Sequence, residues 1–208
     1  MKEIITFKNR LIFNSKDKSV TKFFQSKDDF VKELFIYQKK PNFAPKFLSY
    51  NQDNLSIKIE LIKGDTIINL QNPDFKMLAK LFYQLHTLED KTICLMDTNP
   101  KNFLYSIEKN RYFIIDFSDW QYADKEFDLI HFLLFWASLW RYERFYQVAK
   151  IFLTEYENYA VIKKSNWKTN VINVINIFDN RRQFHKKKEK TINNDTEKNR
   201  EMLKNLFL

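Results

Sequence analysis

Two short apolar and aromatic runs, Phe103-Leu104-Tyr105 and Arg111 to Ile115, flank the turn signal Glu108-Lys109-Asn110, and they predict an antiparallel hairpin. Its flanks limit what the middle of the chain can become. Asp97-Thr98-Asn99-Pro100-Lys101-Asn102 leads into the hairpin, and Asp116 follows it, fourteen residues after Asn102. A hairpin returns its second strand to the start of its first. The spacing therefore collects Asp97, Asn102 and Asp116 at one end of a small sheet. Asp and Asn are also common turn formers, so the spacing carries more weight than the residue types.

A carboxylate, a side-chain amide five residues on and a second carboxylate after a strand form the set that metal-assisted phosphoryl transfer requires. One carboxylate receives the proton of the attacking hydroxyl. The amide and the other carboxylate hold the magnesium that bridges the nucleotide phosphates.

Upstream, Glu3 to Phe7, Arg10 to Phe13 and Ser19 to Phe24 are β-branched and aromatic runs between turn signals, which predicts a three-stranded meander. Asp28 or Asp29 is expected to cap a helix that carries Phe30, Glu33, Leu34 and Ile36 or Tyr37. Two more strands, Phe47 to Tyr50 and Leu55 to Ile59, flank the turn Asn51-Gln52-Asp53-Asn54. Gly64, the chain's one glycine, is the expected point at which sheet gives way to helix.

At this point the chain resembles the protein-kinase-like superfamily, in particular its aminoglycoside phosphotransferase, choline kinase and lipopolysaccharide kinase branches. The likeness runs from about Val20 to Leu129. Met77 to His86 is similar to the helix that ends in Leu-His before the catalytic loop, Asp116-Phe117-Ser118-Asp119 to the metal-binding Asp motif, and Phe127-Asp128-Leu129 to the Tyr-Asp-Leu that starts the next helix. The resemblance implies an α+β, bilobal fold: a small antiparallel β-sheet with one helix as N-lobe (1–62), a mainly helical C-lobe (63–180) and a basic extension (181–208).

It also implies roles: Asp97 as catalytic base, Asn102 and Asp116 as magnesium ligands, and Asp128 as the brace of the catalytic loop. Lys22 would touch the α and β phosphates of ATP and pair with Glu33, and the segment around Glu60 and Ile62 would meet adenine through its backbone. Only twelve residues separate Asp116 from Asp128, too few for the long activation segment of eukaryotic-type protein kinases. A small-molecule or cell-envelope saccharide acceptor follows, with an atypical RIO-like protein kinase and a catalytically silent binding module as the alternatives. Three positions depart from the pattern. Leu95 and Met96 stand where relatives carry His and then Gly or Arg, Ser118 stands in place of Gly, and a chain with one glycine has no glycine-rich phosphate loop.

Beyond Asp128, Leu129 to Trp140 reads as a buried helix, Tyr142 to Glu157 as an amphipathic one, and Val171 to Phe178 as a further helical segment. From Arg181 to Arg200 there are eight Lys or Arg against three acids, including Lys186-Lys187-Lys188; this is a solvated face or a site for an anionic partner. Met202, Leu203, Leu206 and Phe207 are expected to dock on the body. With 44% hydrophobic and 17% aromatic residues the chain is not of a disordered class. A net charge of +9 would draw polyanions and is also compatible with nucleotide; nucleic acid, resting on charge alone, is the less favoured partner. The one cysteine, Cys94, forms no internal disulfide, and His86, His131 and His185 lack zinc-site spacing. No apolar run reaches membrane-spanning length, so the expected setting is cytoplasmic, with a peripheral place at the inner membrane face as a variant.

Overall fold

The computed structural model describes residues 2–5, 9–185 and 194–206. In chain order its elements are β1 (Lys2–Ile5), β2 (Asn9–Asn14), β3 (Ser19–Phe24), α1 (Lys27–Gln38), β4 (Phe47–Asn51), β5 (Ser56–Glu60), β6 (Asp65–Thr66), α2 (Phe75–His86), β7 (Ile93–Cys94), β8 (Phe103–Ser106), β9 (Arg111–Ile114), β10 (Gln121–Tyr122), α3 (Lys125–Ala137), α4 (Tyr142–Glu157), α5 (Lys164–His185) and α6 (Asn194–Asn205). They form two compact units that alternate along the chain, Met1–Gln71 with Lys101–Trp120, and Asn72–Pro100 with Gln121–Leu208.

The first unit is built on an antiparallel sheet in the order β1-β2-β3-β5-β4. Central β3 is the most enclosed strand of the β1-β2-β3 meander, with Val20, Lys22 and Phe24 buried on one face. The hairpin turns are made without glycine: Lys18, Leu55 and Asn110 take up left-handed backbone with φ of 50°, 47° and 47°. In the β4–β5 turn the Asn51 side chain accepts from the amides of Asp53 and Asn54, which offsets part of that strain.

Ser26, rather than Asp28 or Asp29, caps α1, its hydroxyl accepting from the Asp29 amide at 3.3 Å. The two acids instead occupy the first turn, where the helix dipole favours negative charge. Phe30, Glu33, Ile36 and Tyr37 form the buried face of α1, and Phe30 meets Phe24 edge to face at 5.8 Å.

The smaller sheet of this unit has the order β6-β8-β9. β8 and β9 form the expected hairpin, with Phe103 opposite Ile114. One further bond, from the Ile115 amide to the Asn102 carbonyl at 3.0 Å, continues the ladder past the strand ends. The chain after β5 does not pass directly into helix: Gly64 is followed by β6 and a short 3₁₀ turn, and α2 begins only at Phe75. Gly64 is also not left-handed. What demands glycine is close approach, since a Cβ there would lie 2.2 Å from the Tyr105 carbonyl oxygen in β8.

The second unit is helical. Asp74 caps α2, accepting from the amides of Lys76 and Met77, and β7 pairs with β10 in a two-stranded ribbon. From Glu126 to Ala137 every residue of α3 except Phe135 is buried, so this helix is the centre of the unit. Phe82 of α2 lies 5.0 Å from Phe132 and 5.6 Å from Phe152 of α4. Each such ring contributes roughly 1.5–3 kcal/mol by leaving water.

One expectation needs correction here. α5 spans Lys164–His185, not only Val171 to Phe178, because its Asn residues face outward while Trp167, Val171, Val174, Ile175 and Phe178 form one buried stripe. The basic region starts in the last turn of α5 and resumes in α6, and Lys186 to Lys188 and Phe207 lie outside the described residues. α6 is docked as its apolar residues suggested. Leu203 is fully buried, its carbonyl accepts from Trp167 Nε1 at 2.8 Å, and Asn199 Nδ2 donates to the Ala137 and Trp140 carbonyls. Among the described residues no helix is long and apolar enough to cross a membrane.

Gly64→Ala is expected to lower unfolding stability by roughly 1–3 kcal/mol, because backbone rather than a mobile side chain blocks the new methyl group. A urea titration checks this: the midpoint should fall at constant slope, and an unchanged midpoint would refute the packing account.

Candidate functional site

In the first unit, three charged residues from distant parts of the chain converge. Lys22 points inward from β3, Glu33 from the buried face of α1, and Asp116 follows β9. Lys22 Nζ donates to Glu33 Oε2 at 2.6 Å and to Asp116 Oδ1 at 2.9 Å. Burial alone would push the Lys22 ammonium down, but the two carboxylates outweigh it and hold the pKa above its ordinary value.

The two carboxylates are not equivalent. Burial drives Glu33 well above the usual carboxylate range, against the pull of Lys22 and with the added repulsion of Asp116. Its second oxygen, Oε1, has no hydrogen-bond partner among the described residues, which removes support for the charged form. Asp116 is also opposed by burial, yet Lys22 and the Ser118 donors bring it below the usual range. Both the amide and the hydroxyl of Ser118 donate to Asp116 Oδ1, at 3.3 and 3.0 Å. Ser118 thus supplies a donor that glycine would lack, and its backbone has no positive φ that would call for glycine.

Asp116 keeps its side chain 32% exposed, and its Oδ2 has no protein partner among the described residues. Asn102 stands beside it at the end of the hairpin, tied in by its own carbonyl to the Ile115 amide. A carboxylate and an asparagine at one end of a hairpin offer oxygen donors of the kind a hard divalent cation takes. At the other end of β5, the Leu61 amide donates to the Lys18 carbonyl at 2.8 Å, and Ile62 follows with its side chain buried. The Glu60 side chain has a partner of its own, Lys109 Nζ, which with burial opposing lowers its pKa.

Asp97 belongs to the second unit, in the loop after β7. That loop is held peptide by peptide. Asp128, fully buried in the first turn of α3, accepts from the Leu95 amide at 2.6 Å and the Met96 amide at 3.1 Å. The Met96 carbonyl accepts from Arg181 Nη1 at 2.7 Å, and the Thr98 amide and hydroxyl meet His131 Nδ1 at 3.3 and 2.8 Å. The Asn99 amide donates to Asp97 Oδ1 at 3.3 Å. Met96 has φ 61°, a left-handed conformation that costs an L-residue roughly 1–3 kcal/mol and persists where its surroundings dictate it.

The brace missing at Leu95 is supplied from elsewhere. His86, at the end of α2, lies 3.4 Å from Asp128 Oδ2 through Nε2 and 2.7 Å from the Tyr156 hydroxyl through Nδ1. Burial raises the Tyr156 pKa strongly, so its hydroxyl stays protonated. His86, Cys94 and Asp128 gather their ligand atoms within 4.8 Å, a closeness that the spacing of the histidines does not reveal. Cys94 is engaged by the Ala123 and Asp124 carbonyls, and burial, reinforced by Asp128, raises its thiol far above the ordinary value. It is an unreactive core thiol in a hydrogen-bonded network.

Sequence reasoning named Lys22, Glu33, Asn102, Asp116, Asp97 and Asp128, but not Ser118 as a donor, His131 or Arg181. The basic run did point to Arg181, though as part of a docking surface. Nothing local marks His131, which reads as one more position of an apolar helix.

A β-sheet unit with a buried Lys–Glu–Asp cluster, a hairpin ending in Asn and Asp, and a helical unit with a braced Asp loop make up the protein-kinase-like fold, in the form seen in choline kinases and aminoglycoside phosphotransferases. An aminoglycoside phosphotransferase from Alicyclobacillus acidocaldarius matches with TM-score 0.68 and 11% identity over 100% of this chain and 91% of its own. The choline kinase LicA from Streptococcus pneumoniae matches with TM-score 0.63 and 14% identity over 98% of this chain and 90% of its own. LicA in complex with AMP matches with TM-score 0.59 and 14% identity over 99% and 90%. No protein-family model and no curated protein matches the sequence.

Lys22→Met leaves buried Glu33 and partly exposed Asp116 without their cation and should cost about 3–5 kcal/mol near neutral pH. Without Lys22 both folded carboxyls titrate above their unfolded values, so the deficit is smallest below the unfolded pKa and grows as pH rises. Thermal unfolding across pH checks this, and a deficit independent of pH would contradict it.

Burial lowers the pKa of His131 to about 4, against 6.5 when unfolded. Between these values the unfolded chain binds more protons, so the stability that neutral His131 contributes is complete above 6.5 and is lost as pH falls toward 4. His131→Asn keeps an acceptor and cannot protonate. Its stability should fall less over that window than the wild type's, by on the order of 3 kcal/mol. Parallel curves in denaturant titrations would show that His131 is not the titrating group.

Proposed function

We propose that the protein is an ATP-dependent phosphotransferase that moves the γ-phosphoryl group to a hydroxyl of a small molecule or saccharide. The observation that carries this is the Lys22 ammonium held between Glu33 and Asp116. An ammonium has three N–H donors. Two are spent on the carboxylates, and no protein acceptor takes the third among the described residues. Glu33 fixes the cation in position, and the remaining donor is offered to the nucleotide phosphates. The AMP bound to LicA, a protein of the same fold, supports a nucleotide as ligand.

Adenine is assigned to the segment after β5, with the Glu60 carbonyl accepting and the Ile62 amide donating; the Ile62 amide makes no backbone hydrogen bond among the described residues. Asp116 Oδ2 and Asn102 are the residues that would hold magnesium. A magnesium held there would supply positive charge against the phosphates. Asp97 is the proposed base: as the acceptor oxygen bonds to the γ-phosphorus and the bond to the ADP oxygen breaks, the hydroxyl proton passes to its carboxylate. The short interval between Asp116 and Asp128 favours a small acceptor over a protein, since it lacks the length of an activation segment. Phosphate gripping falls to side chains, because a chain with one glycine, placed at β6, cannot form a glycine-rich loop over the nucleotide.

A thermal-shift titration with ATP, in magnesium and in EDTA, tests the reading. Saturation at about 100 times the dissociation constant adds roughly 2.7 kcal/mol to the wild type. Asp116→Ala should lose the magnesium-dependent part of the shift. Asp97→Asn should keep the shift while its turnover falls by roughly 10² to 10⁴-fold. Absence of any shift at millimolar ATP would overturn the nucleotide site, and an unchanged rate in Asp97→Asn would remove the base.

A further inference from the structure

Four consecutive peptide planes lead into and through Asp97, and each is held by a side chain. Asp128 takes the amides of the first two, His131 meets the amide after Asp97, and Arg181 holds the plane between Met96 and Asp97 by its carbonyl oxygen, at 2.7 Å. A peptide unit is rigid, so fixing the Met96 oxygen fixes the Asp97 nitrogen as well. From there only the rotations within Asp97 remain, and its Oδ1 is engaged by the Asn99 amide at 3.3 Å. Arg181 is eighty-five residues away in sequence, in the last turns of α5.

We infer that Arg181 is a positioning residue for Asp97: its guanidinium, bonded to the Met96 carbonyl, sets the peptide plane from which the proposed base projects. The assignment of a base rests on the phosphotransferase reading above; the clamp itself does not. The contact is charge-assisted, from a permanently charged donor to a carbonyl, and so is stronger than a neutral hydrogen bond. It also acts where the backbone needs it, because Met96 is left-handed and its amide is already tied to Asp128. With the amide held from α3 and the carbonyl from α5, Met96 is gripped on both sides. The charge of Arg181 is felt at the neighbouring loop contact too, where it adds to the burial that keeps His131 neutral.

The first arginine of the basic run is thereby assigned to the support of the loop rather than to an anionic partner. Arg181 is exposed, so its replacement leaves no cavity in the core.

The test compares wild type, Arg181→Ala and Arg181→Lys by two measurements on the full chain. The first is amide hydrogen exchange of the segment from Leu95 to Asn99, without nucleotide. Arg181→Ala should speed exchange there by roughly tenfold while the helices of the same unit keep theirs. The second is steady-state hydrolysis of magnesium ATP with water as acceptor. Arg181→Ala should lower kcat by roughly 10²-fold, the scale of a small misplacement, with KM for ATP unchanged, and Arg181→Lys should recover most of the loss. Unchanged exchange in the loop overturns the clamp. Equal falls in exchange protection across the whole unit, or a lysine variant no better than alanine, overturn the positioning role. A wild type that binds no ATP refutes the phosphotransferase reading instead, and the exchange measurement still decides whether Arg181 holds the loop.

Discussion

The first unit depends on one buried cation. Lys22 lies in the central strand, Glu33 on the helix that packs against that sheet, and Asp116 at the end of a hairpin ninety-four residues further on. A buried ammonium without partners would be too costly to keep charged, and so would either carboxylate. The three therefore impose mutual registration on β3, α1 and the end of β9: displacing any one strands a charge in the interior. Two negative groups share one positive group, and the structure resolves the imbalance by treating them differently. Glu33 is fully buried and biased toward the neutral acid, while Asp116 is partly exposed, supported by Ser118, and biased toward the anion.

The second unit solves a different problem, that of holding an irregular loop in a set conformation. Here the scarce resource is glycine, which would adopt a left-handed backbone without strain. At Met96 the conformation is enforced instead from outside, by a carboxylate on α3 and a guanidinium on α5. His86 and Tyr156 brace Asp128 in turn. The loop that carries Leu95 is thus held by contacts that reach it from two helices, α3 and α5. The chain's single glycine is kept for a place where no side chain fits, against the Tyr105 carbonyl.

Much of this architecture was legible because it is written in local patterns. The β8–β9 hairpin, the meander of β2 and β3, and the helices α1 and α4 follow from turn residues and periodic apolar positions, and α2 from the likeness of Met77 to His86 to a kinase-like helix; all appear close to where those signals put them. The pairing of Lys22 with Glu33 is what the resemblance to kinase-like proteins implies, not what the local pattern shows. α5 was harder, since Asn-rich positions on its exposed face break the apparent helical run, and only the buried stripe from Trp167 to Phe178 shows its true length. The cap of α1 differs from expectation for a simple reason: Ser26, Asp28 and Asp29, within four positions of one another, can all cap, and the backbone chooses among them.

The sequence by itself determined the order of strands and helices and the spacing that sets Asn102 and Asp116 at one end of a hairpin, because hydrophobic period and turn chemistry act over a few residues. Tertiary structure alone decided which donors and acceptors meet: Lys22 with Asp116, Thr98 with His131, and Met96 with Arg181. Contacts of that kind join one side chain to one distant atom. They recur at no period and alter no local propensity, so nothing in the linear chain announces them until packing has brought the partners together.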